Sequence, residues 1–82
     1  MSMIDAKQLV ALVDAGAVKA VAVRGTAGGF TIVVDGKMVE ARRGNARVFR
    51  KLNTAAAFLK VKGIGMFTVD VSTWNPSQKA AL

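Results

Sequence analysis

Cysteine, histidine and tyrosine are all missing from these 82 residues, and acids are scarce, with four Asp and one Glu. Without cysteine the chain can form neither a disulfide nor a thiolate metal site, and nothing in it points to an oxidising compartment. Without histidine, general acid–base chemistry would fall to carboxylates. Asp5, Asp14, Asp35, Glu40 and Asp70 lie at no spacing that would bring two of them to one site. Metal ligation meets the same shortage. The chain is therefore expected not to be an enzyme and to need no cofactor. No apolar run approaches the ~18 residues of a membrane span, and Met1 to Asp5 lacks the basic start and apolar stretch of a signal peptide. A cytoplasmic protein without membrane contact is expected.

Apolar material is plentiful at 52% of the residues, but Val and Ala dominate it while only four Phe and one Trp are present. A single domain of this size buries about 60% of its unfolded surface. Its core should be thin, and a homodimer sharing a sheet or a helix face would complete it.

Positive charge is concentrated in one stretch. Lys37, Arg42, Arg43, Arg47, Arg50, Lys51, Lys60 and Lys62 face one acid, Glu40, so residues 37–62 carry the whole net charge of +7. The remaining residues balance four cations against four acids.

Taken in order, Asp5 and Gln8 have capping-box spacing, with Ile4 and Leu9 as a hydrophobic staple. Leu9, Leu12 and Val13 recur at helical intervals, and Gly16 can end a helix over about 6–15. Val18 to Arg24 reads as a strand, and Gly25 to Gly29 as a flexible connection. Phe30, Ile32 and Val34 alternate with Thr31 and Val33, which marks a second strand. Asp35–Gly36 is a two-residue hairpin turn that leads into a third strand, Lys37 to Arg42. After the Gly44–Asn45 turn, 46–52 fits a strand. It also fits a helix whose stripe is Val48, Leu52, Ala55 and Leu59. Strand then helix is preferred, because Asn53–Thr54 resembles an N-cap before three alanines. The helix would end at Gly63, and Phe67, Val69 and Val71 alternate in a last strand. Helix, glycine and Val-rich strand thus occur twice, at 6–24 and 54–72. The expected architecture is one α+β domain over 1–74, ordered helix, four mostly antiparallel strands, helix, strand, with both helices on one face and 75–82 as a flexible tail.

Gly25–Thr26–Ala27–Gly28–Gly29 follows a strand as a phosphate loop does, but no Lys-Ser or Lys-Thr step and no helix come after it. A hairpin connection is the expected role. The basic stretch admits two readings. Its cations could form a solvated face that masks a sheet edge. The use of Arg at 42, 43, 47 and 50 favours a ligand surface, because a planar guanidinium fork suits phosphate or a guanine edge better than a point charge does. The expected contacts to nucleic acid are Arg42, Arg43, Arg47, Arg50 and Lys51, with Lys37, Lys60 and Lys62 at the margin. Phe49 could stack on bases or sit in the core. Trp74 could be a stacking residue, a dimer contact or the last anchor of the final strand.

The run from Ala41 to Thr54 holds an Arg-Arg-Gly turn and the step Arg47-Val48-Phe49-Arg50-Lys51-Leu52-Asn53-Thr54. It continues through Phe58–Leu59 to Gly63-Ile64-Gly65-Met66-Phe67-Thr68-Val69-Asp70. With the opening Ile4 to Leu9, these residues resemble the ParC-family partition-associated proteins of plasmids and integrative elements, which are unrelated to the topoisomerase subunit of that name. The resemblance spans most of the chain up to about Trp74. It implies a plasmid maintenance or segregation role in the bacterial cytoplasm, with contact to DNA or to other partition proteins. Where the family pattern usually carries Asp before Thr, this chain has Asn53, which removes a negative charge beside the basic cluster. The leading expectation is a small nucleic-acid-binding protein, with DNA ahead of RNA. The alternative is an adaptor that docks an acidic partner, and a structural oligomer without an anionic ligand ranks third.

Overall fold

In the computed structural model, residues 3–42 and 44–74 are described. Arg43 and the expected tail at 75–82 lie outside them. Two helices and six strands follow one another as β1 (Met3–Ile4), α1 (Ala6–Asp14), β2 (Val21–Thr26), β3 (Gly29–Val34), β4 (Lys37–Arg42), β5 (Asn45–Ala46), α2 (Leu52–Val61) and β6 (Thr68–Asp70). The strands form one mixed sheet in the order β1-β4-β3-β2-β6, with β5 also paired to β4. β2, β3, β4 and β5 are joined by antiparallel pairings, whereas β1 runs parallel to β4 and β6 parallel to β2.

Local chemistry accounts for the helix ends. Gln8 N–H donates to Asp5 Oδ1 at 2.8 Å and Asp5 N–H donates to Gln8 Oε1 at 3.0 Å, which completes the capping box. At the far end of α1, Gly16 adopts φ +68°, and the amides of Gly16 and Ala17 reach back to Val13 and Leu12. α2 ends the same way at Gly63, with Gly63 bonded to Lys60 and Ile64 to Leu59. The repeated helix-glycine-strand pattern therefore maps onto α1 to β2 and α2 to β6, and these two strands lie side by side.

Pairing Val21 with Val34, Val23 with Ile32 and Gly25 with Phe30 gathers the apolar members of β2 and β3 on one face. Leu9 of α1 and Ala55 and Leu59 of α2 are fully buried in the same cluster, together with Val39 of β4. Both helices thus cover one face of the sheet. The opposite face carries Ala22, Val33 and Met38, all half-buried.

Several boundaries differ from the sequence reading, and the last strand narrows to Thr68–Asp70, short of Phe67 and Val71. Lys19 and Ala20 donate their amides to the Asp35 carboxylate at 2.7–3.2 Å, so the ladder of β2 begins at Val21 and not at Val18. The supposed connection at 25–29 is mostly strand, since Thr26 pairs with Gly29 around a two-residue turn. Residues 46–52 hold only β5 and one further bridge, Phe30 with Phe49, before α2 starts at Leu52. β1 was not expected at all. Two residues are too few for periodicity, and their partner lies more than thirty positions away in sequence.

Candidate nucleic-acid interface

β4 changes partner halfway along. Lys37 and Met38 pair with Val34 and Val33 of β3, but Glu40 and Arg42 pair with Ala46 and Asn45 of the returning chain. Gly44 takes φ +79° in the intervening turn, and its amide donates to Glu40 Oε2 at 3.2 Å. The single acid of the basic stretch is therefore committed to the turn backbone. Arg47 N–H donates to Val39 O at 2.9 Å, and Phe49 then exchanges two backbone hydrogen bonds with Phe30 at 2.7 and 2.8 Å. These bonds hold the Arg47 backbone between two fixed points.

The Phe49 side chain is 6% exposed and its ring lies 5.4 Å from that of Phe58. Of its two readings, the core one holds, and no base can stack on it in this conformation. Arg47 is exposed, yet its guanidinium carbon sits 5.4 Å from the Phe49 centroid and 5.0 Å from that of Phe58. Lys62 Nζ stands 5.3 Å from the same Phe58 centroid. A cation over an aromatic face gains about 0.5–1 kcal/mol at exposed sites and keeps its charge. Arg47 and Lys62 are thus oriented without being neutralised. Lys62, expected at the margin, is a neighbour of Arg47.

The other cations separate by position. Arg42 is exposed at the end of β4 beside the Gly44 turn, and Arg50 and Lys51 are exposed directly before α2. Lys51 occupies the N-cap of α2 with no side-chain hydrogen bond, and the first turn holds no acid. Asn53 is consequently inside the helix and not its cap. The extended chain pinned at Phe49 sets where α2 begins, overriding the preference of Asn for a capping position. Cations at a helix N-terminus oppose the macrodipole, so an anion beside Arg50 and Lys51 would relieve that repulsion. Lys37 lies at the opposite end of β4, five residues or about 17 Å from Arg42. Lys60 projects elsewhere too, lining a groove with Ala56 and Phe67.

Among the described residues the one ion pair is Arg24 with Asp70, at 4.0 Å and outside the cluster. The Asp70 carboxyl is held below its ordinary pKa chiefly by hydrogen bonds from the Ser72 hydroxyl and amide, with Arg24 adding attraction. The seven described cations of the basic stretch therefore have no carboxylate partner. Trp74 packs on Phe30 at 5.9 Å and lies over Gly25, where a Cβ would meet it at 2.7 Å. It anchors the end of the last strand. Val48 and Leu52, inward-facing in the helical reading of 46–52, are instead 53% and 37% exposed among the cations.

Among the described residues no group of acids could hold a metal ion, and no helix is long and apolar enough to cross a membrane. A family model described as ParC-like matches residues 4–78. No curated protein and no solved structure matches the chain.

Proposed function

Since this chain belongs to the ParC-like family, we propose that it is a small, non-enzymatic nucleic-acid-binding protein of the bacterial cytoplasm that serves plasmid partition or maintenance. The observation that carries this reading is the unneutralised cation surface around Phe58. Arg47 and Lys62 share its ring, and Arg42, Arg50 and Lys51 remain exposed nearby in the chain. Cations kept free of carboxylates and partly oriented by an aromatic ring lose little entropy on meeting phosphate. Arg43, between Arg42 and the Gly44 turn in sequence, belongs to the same proposed contact set. Lys37 and Lys60 contribute long-range attraction only. The plasmid context favours DNA over RNA.

A second reading has its own support. Val48 and Leu52 add apolar surface among the cations, as suits an acidic protein partner of the partition machinery with its own apolar contacts. A fluorescence anisotropy titration at low salt with random duplex, random single strand and poly-glutamate separates the two. Binding to either nucleic acid, weakened by Arg47→Gln, is expected. Binding to poly-glutamate alone would replace the leading reading with the adaptor.

A further inference from the structure

β6 is an edge strand of a different character from the basic end of the sheet. Edge strands expose unpaired backbone groups, and proteins usually blunt them with lysine, proline or a covering element. Between Gly63 and Trp74 the chain has no lysine, arginine or proline, and its one charged residue, Asp70, is already engaged with Ser72 and Arg24. Apolar side chains flank that edge. Met66 is 88% exposed, Val71 49% and Val69 41%. Val69 pairs with Val23, so it stands on the helix-covered face of the sheet, yet among the described residues no helix covers it. Next to it on that face is a groove of about 420 Å³ lined by Ala56, Lys60, Gly63, Ile64, Gly65 and Phe67.

We propose that the edge of β6, unpaired among the described residues, is a self-association site, where a second copy of this chain adds its own β6 antiparallel about a two-fold axis at Val69. The register is self-complementary. With Val69 opposite Val69 of the second copy, Phe67 meets Val71 and Thr68 meets Asp70. The apolar pairs fall on the helix-covered face, and a hydroxyl opposes a carboxylate on the other. Val71 directly follows β6, and the proposed pairing extends the alternation by one residue, which brings Val71 onto the face that Val69 occupies. Val71 of the second copy then lies beside Phe67, at the mouth of the groove. A two-fold interface must place one patch against itself, and the basic face with Arg42, Arg47, Arg50, Lys51 and Lys62 would repel its copy. The β6 segment carries a single, already paired charge and avoids that repulsion. This inference does not rest on nucleic-acid binding.

The test uses the full chain without nucleic acid. Light scattering at about 100 μM, where a micromolar site is filled, should give the mass of a dimer; a monomer would overturn the proposal. Because the chain has no cysteine, Val69→Cys reports the axis directly. Paired Cα atoms in an antiparallel ladder are about 4.5–5.5 Å apart, within disulfide reach. Mild oxidation should cross-link Val69→Cys almost completely and leave Val71→Cys reduced, since its two copies lie about 13 Å apart. If Val69→Cys alters the circular dichroism, an equal mixture of Thr68→Cys and Asp70→Cys chains, both at exposed positions, reads the same register. A dimer in which neither arrangement cross-links, or in which Val71→Cys links as readily, would place the interface elsewhere.

Discussion

Replacing Gly29 by Ala tests whether the β3 strand holds the Arg47 segment in place. Gly29 has φ +136°, a backbone region that residues with a Cβ rarely adopt. Holding alanine there costs about 1–3 kcal/mol. The added Cβ would also lie 2.5 Å from Phe49 O and 3.0 Å from a Val48 methyl. Because the closer atom is backbone, residues 48–49 must move, and at least one of the two Phe30–Phe49 hydrogen bonds, each worth about 1 kcal/mol, is lost. The sum is about 2–4 kcal/mol, against about 4–12 kcal/mol for a domain of this length. Urea denaturation should show that loss with an unchanged m-value, and the melting temperature should fall by about 10–25 °C. At a temperature where the variant stays folded, duplex affinity should also drop, because Arg47 is displaced from Phe58. A stability loss below about 1 kcal/mol would refute the argument that Gly29 fixes this segment.

Leu59→Ala removes a fully buried side chain where α2 meets the sheet and should cost about 2–5 kcal/mol in chemical denaturation. Because Asp70 titrates below its ordinary value in the folded protein, its contribution is complete above the unfolded pKa and fades as pH falls through the folded one. Asp70→Asn should therefore lower stability at neutral pH, where the contribution is complete, and the difference from the unmodified chain should fade as pH falls below the ordinary carboxylate range, which flattens the acid limb. An unaltered acid limb would show that the Ser72 and Arg24 contacts do not form in solution.

The helices and the main strands were legible in the sequence because their signals are local. The Asp5–Gln8 box, the glycines at 16 and 63, and the Asp35–Gly36 turn each act within a few residues, and each does so in the structure. What escaped was set by distant partners. β1 exists through β4, and the approach to β2 is bent by the Asp35 carboxylate. The start of α2 is fixed by the pairing of Phe49 with Phe30, which moves the N-cap from Asn53 to Lys51. The candidate interface was legible as a quantity of charge and illegible as an arrangement. Linear proximity grouped Lys37 with Arg42, although an entire strand separates them. The link between Arg47 and Lys62 runs through Phe58, and its only trace in the sequence is the i, i+4 spacing of Phe58 and Lys62.

Phosphate is expected to meet the cations gathered around Phe58. This contact is tested most directly by the salt dependence of random-duplex affinity in the unmodified chain, Lys62→Gln and Lys37→Gln. About six phosphate contacts give a slope of log K against log[salt] of about −5 to −6, and each lost contact reduces it by about 0.9. The slope should become shallower by about one in Lys62→Gln and stay unchanged in Lys37→Gln. No duplex binding at low salt, or equal slopes for the two variants, would contradict the account.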